Sequence, residues 1–347
     1  MSSKTYRFIL TGVGSVGKDL LRTLLQNGPL LAQRYGLTLR LVGAADSGGV
    51  VANANGLDMA ALLAHKESGR SVSQFAGGQP GQPPAALFDL VEADLLLEAT
   101  PTNLQDGQPG LDLVKTGLQK GMHAVLASKG PLVLAFDELA ALSDWRQPGA
   151  PALRFSGAVG SPLPSVSVGM RDLAGGHIRQ IEAVVNGTTQ MILQLMGEGQ
   201  SYADALKEAQ AKGIAEPDPS LDVDGWDSAN KLVILANTVL RQPTKLADVA
   251  VQGIGNVSLD EIRAATAAGG RMSLVARAVW EGENGRYSLS VAPVALPPDH
   301  DLARLHNDSM GIVYDTDVFG RLALLCANPG IGTGAAMMKD VIGIFAL

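Results

Sequence analysis

One cysteine, Cys326, stands in a chain of 347 residues. It cannot close an internal disulfide, and so low a count predicts a reducing, cytoplasmic compartment. Charged residues amount to 18%, with no run of lysine or arginine among them, and the formal net charge is −7. That balance excludes a nucleic-acid surface, which needs a basic patch. No stretch of 18 apolar residues occurs, and the opening MSSKTYRFILTG has too short an apolar run for a signal peptide. Neither a membrane span nor a leader is predicted. What is plentiful is apolar side chain (46%) and glycine (41 positions), enough for a substantial core with many tight turns. The length predicts two domains, in a protein that handles small molecules.

YRFIL (6–10) reads as a buried strand running into TGVGSVG, and the helix after it carries Leu20, Leu21, Leu24 and Leu25 on one face. LTLRLVGAAD (37–46), ADLLLEAT (93–100) and HAVLAS (123–128) are further strands; LDLVKTGLQKG (111–121) and VLAFDELAALSDW (133–145) are helical. This alternation predicts an α/β fold with a parallel sheet, a Rossmann-type dinucleotide-binding domain over 1–150. The character changes at QPGAP (147–151). Beyond it we expect an inserted α+β domain over 151–329 for substrate binding and dimerisation. It starts with a helix over 165–173, a strand over 177–187 and two helices around TTQMILQLMGEG and SYADALKEAQAKG. A helix over 225–240 and a β-hairpin of 271–282 with 286–296 follow. That hairpin is expected to continue a sheet across a two-fold axis, giving a homodimer. The last helix, within about 330–347, is expected to complete the first domain.

Gly12-x-Gly14-x-x-Gly17 lies between a strand and a helix, the context a dinucleotide fingerprint requires. The loop Gly12, Val13, Gly14, Ser15, Val16 and Gly17 is therefore the candidate pyrophosphate cradle; the bland alternative is a glycine turn. Asp46 ends the second strand, where an acid accepts hydrogen bonds from an adenosine ribose and favours NAD without excluding NADP. Equally, it could simply open the D-S-G-G turn. ATPTN (99–103) and ASKGP (127–131) follow predicted parallel strands, so Thr100, Pro101, Ser128 and Lys129 should face the cofactor cleft. Lys129 there could polarise a carbonyl or move a proton. Otherwise it is a surface turn lysine.

AEPDPSLDVDGWDSANK (215–231) gathers Glu216, Asp218, Asp222, Asp224 and Asp227 before Lys231. Calcium fails as an explanation: with Gly225 at position six of an EF-hand loop, position twelve is Lys231 instead of a bidentate glutamate. A transition metal wants histidine or cysteine, and the segment has neither. Asp227 and Lys231 are spaced i,i+4 and share a helix face. Such pairs are usually solvated salt bridges of little worth. Here, though, the following turns are strongly apolar, and a lysine held by buried carboxylates is a proton-transfer group.

Together these segments carry a resemblance. GVGSVG, ATPTN, ASKGP, VVNGTT (184–189) and EPDPSLDVDGWDSANKLVILAN occur in the order and spacing of homoserine dehydrogenases, in the short form without a regulatory extension. The chain resembles that family over essentially its whole length. The resemblance implies NAD(P)-dependent interconversion of L-homoserine and L-aspartate 4-semialdehyde. It implies that Lys129 and Lys231 flank the reacting C–O group and that Asp227 positions Lys231 and the substrate hydroxyl. Glu216 would take the α-ammonium and Asp222 would support the cluster, with Gly187 and Thr188 beside the substrate. Gly334 would stand where the chain approaches the cofactor.

Four positions depart from the family pattern. Ser156 stands for a glutamate that helps hold a monovalent cation, so the resemblance does not carry that ion over and no metal is assigned. Pro162 stands for a glycine, Ile214 for a tyrosine, and Thr333 for the small residue of G-x-G-A-G. They leave a second reading open, a related dehydrogenase for another small hydroxy amino acid or hydroxy acid. A non-catalytic NAD(P)-binding sensor is a third, against which both lysines and Asp227 argue. Aldehyde dehydrogenation through a thiohemiacetal needs an activated cysteine, and Cys326 lies in an apolar run (LALLCAN) that reads as core.

Overall fold

The first apolar run becomes β1 (Lys4–Thr11) in the computed structural model, which describes residues 4–282, 285–306, 309–327 and 332–346. By its internal contacts the chain divides into two units, residues 1–158 with 331–347, and residues 159–330. Unit 1 continues through α1 (Ser15–Tyr35), β2 (Leu37–Asp46), β3 (Gly49–Ala52), α2 (Met59–Glu67), β4 (Gly78–Pro80) and α3 (Leu87–Leu90). β5 (Leu95–Glu98), α4 (Gly110–Gln119), β6 (His123–Leu126), α5 (Gly130–Ala141) and β7 (Leu153–Arg154) complete its sheet, in the order β4-β3-β2-β1-β5-β6-β7. β2, β1, β5, β6 and β7 are parallel; β3 and β4 add on antiparallel. The chain winds outward on one side of β1 and then on the other, which puts the topological switch point between β1 and β5.

Phe8, Leu10, Leu20, Leu21, Leu24, Leu95 and Leu97 share one buried cluster. Each such side chain contributes about 1.5–3 kcal/mol by leaving water. β7 extends the parallel sheet beside β6, so the boundary between units falls after Ala158 and not at 150.

Unit 2 begins with α6 (Ser165–Ser167) and a π-helical turn over Val168–Asp172, in place of the regular helix expected over 165–173. β8 (Ile178–Val184), α7 (Gly187–Gly197), α8 (Tyr202–Ala211), α9 (Ser220–Val223) and α10 (Trp226–Thr238) follow. Then come β9 (Ala250–Val251), α11 (Leu259–Ala267), β10 (Arg271–Glu281), β11 (Arg286–Leu296), β12 (Met310–Thr316) and β13 (Arg321–Cys326). The sheet order is β13-β12-β8-β10-β11-β9.

The expected hairpin is β10 with β11, in register from Arg271↔Leu296 to Glu281↔Arg286; residues 283 and 284 of its turn lie outside the described residues. β10, however, is interior, paired to β8 on its other side, and the outer edge of β11 is covered by β9 at Ser290 and Val291. The other edge is β13, where Cys326 is only half-buried and not core. α12 (Gly332–Phe345) returns to unit 1, where Met337 and Val341 join the cluster around β1 and α1. Residues 330, 331 and 347 of the expected last segment lie outside the described residues.

Candidate active site

The glycine loop joins β1 to α1, and its three glycines serve different ends. Gly12 sits at φ +88, and a Cβ there would lie 2.2 Å from the Ala99 carbonyl oxygen. Only glycine makes that turn. A Cβ on Gly17 would meet the Gly12 oxygen at 2.3 Å, so Gly17 lets the helix close on the turn. A Cβ on Gly14 would meet nothing within 4 Å. Gly14 is also the N-cap of α1, which has no side-chain capping bond. A helix start with uncapped amides beside open space is what an anionic pyrophosphate occupies, and the loop fits a dinucleotide. Val13 is buried beneath the loop, Val16 is half-buried, and Gly14 and Ser15 face solvent.

Beyond β5 and β6 one carboxyl group organises both loops. Glu98, on the last residue of β5, is fully buried. It accepts from the Thr100 amide at 2.8 Å and from the hydroxyls of Thr100 and Ser128. Burial pushes the Glu98 carboxyl up from its ordinary pKa, against the pull of those donors. Thr100 and Ser128 thus turn their hydroxyls inward, while Pro101 stays exposed. Lys129 is the N-cap of α5, and its amide donates to Thr102 Oγ1 at 3.3 Å. Glu98 was not among the expected site residues.

Two expected cofactor residues have roles within the fold. A Cβ on Gly334 would fall 2.8 Å from the Leu20 amide nitrogen, so this glycine lets α12 lie against α1. Asp46 ends β2 as expected, but its oxygens serve the loop after it. Oδ1 accepts from the Gly48 amide (2.9 Å) and Ser71 Oγ (2.7 Å); Oδ2 accepts from the Val72 amide (2.9 Å) and pairs with Lys66. Burial alone would raise the Asp46 pKa, but the Lys66, Ser71 and amide partners outweigh it and hold it below the usual range. Four donors fill the lone pairs that a ribose would need. Asp46→Ala is therefore expected to weaken NAD and NADP alike, and to destabilise the fold by about 3 kcal/mol through the largely buried Lys66 left unpaired. Titration with both nucleotides checks this; a loss confined to NAD would give Asp46 back to the ribose.

The acidic segment separates into a buried cluster and solvated loop acids. Gly225, at φ +89, starts α10, and a Cβ there would press on Val251 and Val291 at 3.1 and 3.3 Å. One turn on, Asp227 and Lys231 pair at 2.6 Å with side chains only 9% and 12% exposed, which sets the pair apart from a surface salt bridge. Lys231 Nζ also donates to the Val185 carbonyl at 2.6 Å. Two of its three N–H groups are thereby taken, and the third is left for another acceptor.

Asn186, next in the chain, donates through Nδ2 to Asp222 Oδ1 at 2.6 Å and to Asp227 Oδ2 at 2.9 Å. It too was missed. Thr188, buried in the first turn of α7 after Gly187, donates to the Ile214 carbonyl at 3.2 Å. Glu216 is exposed on the loop before α9, held through its backbone carbonyl by Gln210 Nε2 at 3.2 Å. Asp218 and Asp224 are exposed, as plain loop acids should be.

Ser156 commits both donors to Asp340 of α12, its amide at 2.7 Å and its hydroxyl at 2.6 Å. The position thus presents hydrogen-bond donors to a carboxylate. Among the described residues no group of three or more histidine, cysteine, aspartate or glutamate side chains is placed to hold a metal ion.

Comparison with known proteins places this geometry. The homoserine dehydrogenase family profile matches residues 164–342, and that of the glutamate/leucine/phenylalanine/valine dehydrogenases matches residues 1–107. An NAD(+)-dependent homoserine dehydrogenase of Pseudomonas canavaninivorans is 34% identical over 98% of this chain and 96% of its own. A homoserine dehydrogenase of Methanocaldococcus jannaschii is 30% identical over 97% and 98%. Among solved structures, a putative homoserine dehydrogenase from Archaeoglobus fulgidus superposes with a TM-score of 0.85 at 27% identity, covering 99% of this chain and all of that one.

Proposed function

The chain belongs to the homoserine dehydrogenase family, and from that premise we propose how its residues share the work. The reaction is the NAD(P)-dependent interconversion of L-homoserine and L-aspartate 4-semialdehyde. Bound NAD or NADP supplies the hydride acceptor or donor. Gly14 and the uncapped start of α1 hold the pyrophosphate, while Glu98 keeps the Thr100 and Ser128 loops in place.

Lys231 moves the proton. In the oxidative direction its neutral amine takes the hydroxyl proton as the alcohol becomes an aldehyde; in the reductive direction its ammonium returns that proton to the carbonyl oxygen. Asp227 Oδ2 and the Val185 carbonyl hold two N–H groups, which leaves the lone pair of the amine, or the third N–H of the ammonium, for the reacting oxygen. Lys129 is assigned as the second amine for that oxygen, Glu216 as acceptor for the α-ammonium, and Asp222, Gly187 and Thr188 as its surroundings. The observation that carries this reading is the buried Lys231–Asp227 pair, two turns of α10 tied to the end of β8.

The test is turnover. With NAD+ or NADP+ the protein is expected to oxidise L-homoserine, better as pH rises because the reaction releases a proton. Nucleotide binding without homoserine oxidation, alongside oxidation of another small hydroxy amino acid, would move the assignment to that substrate.

We also infer a cytoplasmic homodimer. The single cysteine supports the compartment. The dimer is supported by the β13 edge of the sheet, where Leu325 is 42% exposed and Val318 and Phe319 in the β12–β13 turn are 68% and 50% exposed. Light scattering on the purified protein measures the mass; a monomer at micromolar concentration would sink the inference.

A further inference from the structure

Asn186 is 5% exposed and has no role in the assignments above. Its carboxamide makes bonds in two directions. On one side Oδ1 accepts from the Thr189 amide (2.9 Å) and the Thr189 hydroxyl (3.1 Å), which makes Asn186 the N-cap of α7. On the other, Nδ2 donates to Asp222 of α9 and Asp227 of α10. The orientation of the amide is not arbitrary. A backbone N–H can only donate, so the oxygen must face Thr189 and the NH2 group must face the acids.

Those acids are a problem that the amide solves. Two carboxylates brought to one buried group repel each other. One N–H for each offsets that cost with two charge-assisted hydrogen bonds. The oxygen of Asp227 that takes this bond, Oδ2, is the one that pairs with Lys231. The residue before it, Val185, supplies the other acceptor for Lys231. Two consecutive residues between β8 and α7 therefore fix the lysine and its counter-ion together. The charged groups around this point include Asp222, Asp227 and Lys231.

We propose that Asn186 is a positioning residue for the reaction, keeping Asp227 ionised and aimed at Lys231 while the same side chain caps α7. The proposal rests on the assignment of Lys231 and Asp227 above. Its consequence is that the capping and positioning roles can be separated by substitution.

Asn186→Asp is the informative variant, because aspartate caps a helix as well as asparagine but cannot donate when ionised. It adds a third carboxylate to the cluster. The expected result is a folded protein with a lowered melting temperature, because Asp222 and Asp227 repel the added charge, unchanged NAD(P) affinity by fluorescence titration, and kcat for homoserine lower by about 10²-fold. The acid limb of the kcat profile should move to higher pH, since like charge disfavours ionised Asp227. Asn186→Ser keeps a cap and removes the amide that reaches both acids without adding charge, so kcat should fall with a smaller movement of the acid limb.

A purely capping role moves neither kcat nor the profile in these two variants. Wild-type kcat and an unmoved acid limb in either folded variant would overturn the proposal. Lys231→Met, run beside them, separates the two ideas: if it keeps its activity the underlying assignment has failed, whatever Asn186 does.

Discussion

Lys231→Met is expected to lower kcat for homoserine by about 10²–10⁴-fold, the usual worth of a general acid–base group. Methionine keeps the apolar stem and removes the amine, so KM should change little while Glu216 is intact. The substitution also leaves Asp227 without its cation in a site where the pair is only 9% and 12% exposed. Asn186 still donates to that carboxylate, which limits the destabilisation, and a melting curve confirms that turnover is measured on folded protein. Asp227→Asn should fall in the same direction, because it takes away the charge that holds the ammonium. Combining the two should cost far less than the product of their separate effects, as for groups that act as one unit. Near wild-type turnover in Lys231→Met would make the pair a buried strut of α10 and leave Lys129 as the proton carrier.

What could be read from the sequence follows from the range of each interaction. The parallel strands β1, β2, β5 and β6 were visible because a strand covered on both faces is a plain apolar run, as in LLLE of β5; β7, two residues long, was not. β3 and β4 were not, since GVVA and GQP are short and rich in glycine or proline. The Asp227–Lys231 pair was legible from a spacing of four on one helix, and the apolar turns after it signalled burial. Asn186 was not, because its acid partners lie 36 and 41 positions away.

At Asp46 two readings were open, and the bonds seen are those of the acid that opens the D-S-G-G turn. The end of β2 was the right place for an acid, but Lys66, Ser71 and Val72, 20 to 26 positions on, take its oxygens first. Nothing local to Asp46 distinguishes a ribose acceptor from the anchor of a folded loop. Gly334 is similar, because a glycine required by the α1–α12 packing looks in sequence like one required by a ligand.

The glycine loop gives the sharpest separation of those two kinds of glycine, and within one motif. Gly14→Val is expected to leave the fold intact and to weaken NAD(P) by about 10²-fold or more, equivalent to ~2.7 kcal/mol. The residue has φ −87, so no left-handed backbone requires glycine, and a Cβ there meets no protein atom within 4 Å. A loss of nucleotide affinity at an unchanged melting temperature would therefore point to a ligand at the start of α1. Gly12→Ala should do the reverse. It places a Cβ 2.2 Å from the Ala99 oxygen at φ +88, so strain and clash together should cost about 3 kcal/mol or more. For a unit of this size that is a drop of roughly 6–12 °C in melting temperature, and cofactor binding is then lost through the fold. Thermal melts paired with nucleotide fluorescence titration read both variants. Gly14→Val with wild-type affinity for both nucleotides would mean that the open space beside Gly14 holds no pyrophosphate, and the cradle would have to lie elsewhere at the ends of β1, β5 and β6.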